Sequence, residues 1–151
     1  MESLSSVSVQ AKAAQAAGRV LGVLDTKIKN DALQAMADAL CACKTYILQE
    51  NKLDMEAGRQ NGMKESMLDR LMLTEARIEG MADGLRKVIA LPDPIGEVIS
   101  GRKLISGIQM TKVRVPLGVV AIIYEARPNV TADAIGLCLK SGNAVILKGG
   151  S

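Results

Sequence analysis

The chain has no histidine, phenylalanine or tryptophan, and only two tyrosines among its 151 residues. So few aromatic rings leave no platform on which nucleic-acid bases could stack. With 19 basic against 16 acidic side chains the net charge is only +3, too mild to hold a phosphate backbone by charge alone. Three cysteines with no histidine exclude the usual zinc sets. Cys41 and Cys43 lie two apart in a stretch of helical spacing, so they point to different faces and cannot share a metal. An odd cysteine count, with no basic and then apolar leader at the N-terminus, argues for reduced thiols in a cytoplasmic protein rather than a disulfide framework. No apolar run approaches the roughly 20 residues that span a membrane. Cys138, set among Ile135, Leu137 and Leu139, reads as a small core residue and lacks the base a nucleophile needs.

What is present is a 48% hydrophobic composition, enough for an ordinary core. Residues 7–24 are alanine-rich and helical in character. From Thr26, the spacing of Ile28, Ala32, Met36, Leu40, Cys43 and Ile47 predicts one long helix, closed within 54–62 by Gly58 and Gly62. A shorter helix is expected over 64–73. Thr74 then opens another, with Ile78, Met81, Leu85 and Val88 on its core face, and Leu91-Pro92-Asp93-Pro94 ends it. Residues 98–115 change to β-branched alternation around Ser106-Gly107, which predicts an exposed antiparallel hairpin of the kind that pairs with another subunit's sheet edge.

Residues 116–151 hold most of the functional information. Val119-Val120-Ala121-Ile122-Ile123 and Ala144-Val145-Ile146-Leu147 are apolar runs without alternation, as expected of strands buried on both faces of a parallel sheet. The helix between them has Thr131 as a candidate cap of its first turn, Asp133 near the positive end of its dipole, and Gly142 where a left-handed C-terminal cap belongs. The unit is βαβ and the class α/β. An apolar second strand three residues from the end would leave an unpaired edge, so a further half-sheet and a catalytic domain are expected outside this chain. Ligands of parallel sheets bind beyond the carboxyl ends of the strands, which directs attention to residues 124–129 and 148–151. Read as residues alone, Asn129 is a turn residue at a helix entry. Arg127 and Glu125 form either an ion pair or an anion-binding group, and Lys148 is a solvated charge. Gly149 and Gly150 permit close backbone approach, although the string fails the phosphate-loop pattern because the lysine precedes the glycines.

The strings Pro116-Leu117-Gly118-Val119-Val120, Tyr124-Glu125-Ala126-Arg127-Pro128-Asn129 and Lys140-Ser141-Gly142-Asn143-Ala144-Val145-Ile146-Leu147-Lys148-Gly149-Gly150-Ser151 closely resemble those of the γ-glutamyl phosphate reductases. These enzymes, also called glutamate-5-semialdehyde dehydrogenases, belong to the aldehyde dehydrogenase superfamily. Asn51-Lys52-Leu53-Asp54 and Leu91-Pro92-Asp93-Pro94-Ile95-Gly96 extend the resemblance over the whole chain. It implies an aldehyde-dehydrogenase-like α/β fold with three parts. Residues 1–97 would be the helical portion of the cofactor-binding domain, 98–115 an oligomerisation ribbon, and 116–151 the first βαβ of a Rossmann-type NADP-binding domain.

The activity implied for the intact protein is NADPH-dependent reduction of γ-glutamyl 5-phosphate to glutamate 5-semialdehyde with phosphate release, in proline biosynthesis. The family's acyl-accepting cysteine lies downstream of the matched strings, so none of Cys41, Cys43 and Cys138 replaces it. This chain alone would then be inert. Asn129 matches the oxyanion donor, Arg127 and Glu125 fit a phosphorylated amino-acid substrate, and Lys148 matches the lysine on the cofactor ribose or 2′-phosphate. Gly149 and Gly150 accompany that lysine at the cofactor. Ser151 stands where NAD-preferring relatives have a glutamate, which favours NADPH. The resemblance also implies a homo-oligomer, with glutamate 5-kinase as a protein partner. Two other readings stay open: another acyl reductase of the superfamily, and a non-catalytic nucleotide-binding or oligomerisation module.

Overall fold

The computed structural model describes residues 6–125 and 127–149. Five helices come first: α1 (Ser6–Leu21), α2 (Thr26–Ala42), α3 (Lys44–Gln60), α4 (Glu65–Leu71) and α5 (Glu75–Ala90). A hairpin of β1 (Val98–Lys103) and β2 (Gln109–Val113) follows, and then the unit β3 (Val119–Ile123), α6 (Pro128–Lys140), β4 (Ala144–Lys148). The mixed α/β class expected from the sequence is the observed one.

Helix starts obey local chemistry. The Asp25 carboxylate accepts from the Ile28 N–H at 3.0 Å, and the Thr74 hydroxyl accepts from the Arg77 N–H at 3.1 Å. The single long helix expected from Thr26 is instead two. The break falls at Cys43, without glycine or proline, because the halves pack against different partners: α2 against α5 and α6, α3 mainly against α4. The buried stripe of α2 is also one position out of phase with the expected one. Lys29, Leu33 and Ala37 are buried, and Ile28 is half exposed. Lys29 takes an inward position because Asp93, in the turn after α5, meets its ammonium at 2.9 Å.

The core lies where α2, α5 and α6 meet. Leu33, Ile78 and Leu85 are almost inaccessible to solvent, and each such burial contributes about 1.5–3 kcal/mol. The face expected for α5 is confirmed by buried Ile78, Met81 and Leu85, and α5 stops at Leu91 before Pro92 as expected. On the other side α1 lies across the parallel strands so closely that a Cβ on Gly18 would come 2.9 Å from the Gly118 carbonyl oxygen. Only glycine fits there without moving backbone.

β3 and β4 pair in parallel, in register from Val119 opposite Ala144 to Ile123 opposite Lys148. They are not buried on both faces as their composition suggests. β3 alternates exposed and half-buried residues, because only α1 and α6 pack onto this pair among the described residues. The C-terminus of α6 is a Schellman turn: Gly142 N–H bonds to Leu139 O and Asn143 N–H to Cys138 O, with Gly142 at φ +69° as expected. Asn143 then fastens both strand starts, its side-chain oxygen accepting from the Gly118 N–H at 2.8 Å. The predicted hairpin is present, antiparallel from Val98 opposite Val113 to Lys103 opposite Gln109, and every residue of its two strands is exposed.

Candidate active site

The carboxyl ends of the two parallel strands meet where the Tyr124 N–H donates to Lys148 O at 3.0 Å. This bond brings the turn after β3 beside the turn after β4. The first turn leads into α6 through Pro128, whose missing N–H costs nothing at a helix start. Arg127 occupies the cap position and supplies no side-chain acceptor, and no acidic residue lies in the first turn. The expected cap at Thr131 does not form. Thr131 lies inside the helix, and its hydroxyl hydrogen-bonds the Tyr124 hydroxyl at 2.5 Å, which closes the turn onto the helix. Asp133 likewise stands one turn beyond the helix start, where it accepts from the Asn129 side-chain amide at 3.3 Å. The positive end of α6 is thus left to solvent and to whatever binds there.

Two cavities flank this turn and share Arg127 and Pro128. One, of about 410 Å³, lies between α4, α5 and the start of α6, and its walls include Asp69, Arg70, Arg77, Arg127, Asn129 and Asp133. The other, of about 450 Å³, lies against the end of α3 and includes Asp54, Tyr124 and Glu125. Both volumes fall in the roughly 300–1,000 Å³ range of small-molecule sites. Glu125, Arg127 and Asn129 are all exposed. The expected alternative of an Arg127–Glu125 ion pair is absent among the described residues, so both charged groups remain available. Ala126, between them, lies outside the described residues.

Lys148 is exposed at the end of β4, and its ammonium donates to Gly149 O at 2.6 Å. Open space surrounds the point where a Gly149 side chain would begin, which leaves the backbone approachable. Gly150 and Ser151, named from the sequence as cofactor contacts, lie outside the described residues. Cys138 is buried on α6, where burial pushes its thiol above the ordinary value and away from the reactive thiolate. Cys41 packs against the core, with the Arg86 guanidinium 3.9 Å from its sulfur, and Cys43 is an exposed residue between two helices. None stands near the turn at 124–129.

Sequence reasoning missed two residues here. Arg70 belongs to the short α4 and reaches the cavity from the side opposite α6. Asn51, buried on α3, donates to Leu71 O at 2.9 Å and accepts from the Leu73 N–H at 2.7 Å, fixing the segment that joins α4 to α5. The Asn51-Lys52-Leu53-Asp54 string was the available signal for Asn51. Arg70 carried none, because its relation to α6 exists only in the folded chain.

No family model matches the chain. Curated relatives do. It is 59% identical over 147 residues to the γ-glutamyl phosphate reductase of Heliobacterium modesticaldum, covering 97% of this chain and 35% of that one. It is 56% identical over 150 residues to that of Magnetococcus marinus, covering 99% and 36%. Among solved structures, γ-glutamyl phosphate reductase from Thermotoga maritima superposes with a TM-score of 0.90 at 43% identity, over 94% of this chain and 34% of that one. The Saccharomyces cerevisiae enzyme gives 0.94 at 38% identity, over 99% and 38%. The chain thus spans about a third of the length of the relatives it matches. Over that third, in sequence and in fold, the chain belongs to the γ-glutamyl phosphate reductase family.

Proposed function

We propose that the chain is part of an NADPH-dependent enzyme that reduces γ-glutamyl 5-phosphate to glutamate 5-semialdehyde and releases phosphate; its relatives are named γ-glutamyl phosphate reductases, which supports the substrate. The observation that carries this reading is the turn at 124–129. It presents an unpaired guanidinium and a side-chain amide at the carboxyl end of a parallel strand, beside Lys148 at the end of the next. Arg127 holds an anionic group of the substrate, since a guanidinium fork matches phosphate or carboxylate oxygens in pairs. Glu125 faces the same substrate and suits its ammonium group. Asn129 donates to the oxygen on which charge develops as the acyl carbon is attacked, an interaction worth about 3 kcal/mol in a dry site. Its amide nitrogen is already turned by Asp133, and one N–H remains for the substrate.

NADPH, when bound, supplies the hydride. On this chain Lys148 suits its 2′-phosphate, with Gly149, Gly150 and Ser151 alongside. The exposed ammonium and the open backbone at Gly149 fit a phosphorylated ribose. Residues 1–97 and 116–151 serve the cofactor domain, and the hairpin at 98–115 serves assembly into a homo-oligomer. The setting is cytoplasmic, with glutamate 5-kinase as the neighbour that makes the substrate.

The direct test runs the intact enzyme backwards with semialdehyde, phosphate and NADP, following NADPH formation. Appearance of NADPH only when all three are present supports the reading, and turnover by residues 1–151 alone would overturn the placement of the nucleophile elsewhere. Ser151→Glu tests the cofactor assignment: it should weaken NADPH far more than NADH, because the new carboxylate faces the 2′-phosphate.

A further inference from the structure

The wall of the smaller cavity holds three guanidiniums, and they are used differently. Arg77 is spent on the fold: it donates to Asp69 O and Met72 O and pairs with the Asp69 carboxylate at 3.2 Å. The Arg127 guanidinium has no ion-pair or hydrogen-bond partner among the described residues, and neither has that of Arg70. The two carboxylates on the same wall are both engaged, Asp69 by Arg77 and Asp133 by the Asn129 amide. The uncapped start of α6 opens at the same place. Two free guanidiniums and an unfilled helix N-terminus converge on one cavity of about 410 Å³, an arrangement that suits an oxyanion.

We infer that Arg70 is a second substrate-holding residue, gripping an oxyanion of the acyl phosphate substrate from the α4 side while Arg127 grips from the α6 side. This rests on the function proposed above and extends its site to the helical region. The structure also shows what keeps Arg70 in place. Asn51 pins the backbone just after it through Leu71 and Leu73, so the guanidinium is carried on a fixed segment rather than a loose turn. The substrate offers two such oxyanions, its phosphate and its α-carboxylate, and the same chemistry would hold either.

The experiment uses the intact enzyme and the reverse reaction, in which phosphate and semialdehyde are separate substrates and can be titrated separately. Arg70→Gln should raise KM for one of them by about tenfold or more with a smaller change in kcat, since it removes binding common to ground and transition states. A rise confined to phosphate assigns Arg70 to the phosphate, and one confined to semialdehyde assigns it to the carboxylate. Arg70→Lys should fall between, keeping the charge and losing the fork. The exposed, unpartnered side chain predicts an unchanged melting temperature for both variants. Unchanged KM for both substrates in a folded Arg70→Gln enzyme overturns the inference, as does a rise for NADP alone.

A second measurement separates this from the fate of the proposed reaction. Inorganic phosphate or glutamate should raise the melting temperature of the parent protein, and should do so less for Arg70→Gln. A protein without turnover that shows this difference would retain the anion site and lose the reaction. Equal shifts in parent and variant, in an active enzyme or an inactive one, would remove the site.

Discussion

The two ends of α6 carry polar groups in opposite states. At its C-terminal end Lys140 is buried, and its ammonium donates to the Asn30 side chain at 2.7 Å and to Ile89 O, at the end of α5, at 3.1 Å. The residue before Asn30, Lys29, is buried as well and pairs with Asp93, which also accepts from the Thr26 hydroxyl and the Ile95 N–H. No buried side-chain nitrogen or oxygen among the described residues lacks a partner. At the N-terminal end Arg127, Glu125 and, across the cavity, Arg70 are exposed and unpaired. Charge whose partner lies within the chain serves the fold. Charge left unpaired around a cavity is where a partner from outside is expected, and burial and pairing together separate the two roles where composition cannot.

The largest expected effect would come from breaking the closed end. Asp93→Ala leaves the Lys29 ammonium buried without its counter-charge, and such half-pairs cost about 3–5 kcal/mol. Urea or thermal unfolding measures it, and a loss below about 1 kcal/mol would show that this end is not structurally decisive. Lys29→Met should cost much less, because it removes the charge that needs compensation and fills the same space.

At the open end the comparison reverses. Asn129→Ala in the intact enzyme should lower kcat by about two to three orders of magnitude while the melting temperature holds, because the side chain is exposed and its one bond goes to exposed Asp133. Falling stability with unchanged turnover per folded molecule would make Asn129 a turn residue and nothing more. Arg127→Lys is the milder probe. Retained charge with lost fork geometry should raise KM for the phosphorylated substrate by about tenfold and leave kcat nearly alone. A melt that shifts as much as that of Asp93→Ala would erase the distinction between the two ends.

What could be read in advance follows the same division. The caps at Thr74 and Gly142, the stop at Pro92, the hairpin and the βαβ unit rest on chemistry within a few residues, and they were legible. The break at Cys43 and the inward position of Lys29 were not, because each is decided by a helix packed from far along the chain; Lys29 and Asp93 are 64 residues apart. Thr131 was a candidate cap of the first turn, but it lies inside the helix and its hydroxyl bonds that of Tyr124. Tertiary partners override local preference wherever a polar side chain has two uses. Of the site, residues 125, 127 and 129 were visible as a string with a known resemblance. Arg70 belongs to no such string and enters the cavity only because α4 folds against it.

The smallest effect expected is on acid stability, and its sign tests the closed end without removing a side chain. Burial pushes the Asp93 carboxyl up, but hydrogen bonds from Lys29, the Ile95 N–H and Thr26, with the charge of Lys29, outweigh it and hold the group below its ordinary value of 3.8. The folded state therefore binds this proton more weakly than the unfolded chain does. The stabilisation is complete above the unfolded value, near pH 4, and is lost as pH falls through the folded value below it. Other carboxylates titrate in the same range, so the informative quantity is the difference in unfolding free energy between the parent and Asp93→Asn. That difference should be steady from about pH 7 to 5 and shrink below about 4, as the parent becomes protonated and the two side chains become equivalent in charge. A difference that stays constant to pH 3 would place the carboxyl outside this linkage, and one that widens in acid would mean its value is raised rather than lowered. Arg127→Lys, at the open end, should give a difference from the parent that is flat across the same window, because the Arg127 guanidinium has no carboxylate partner among the described residues.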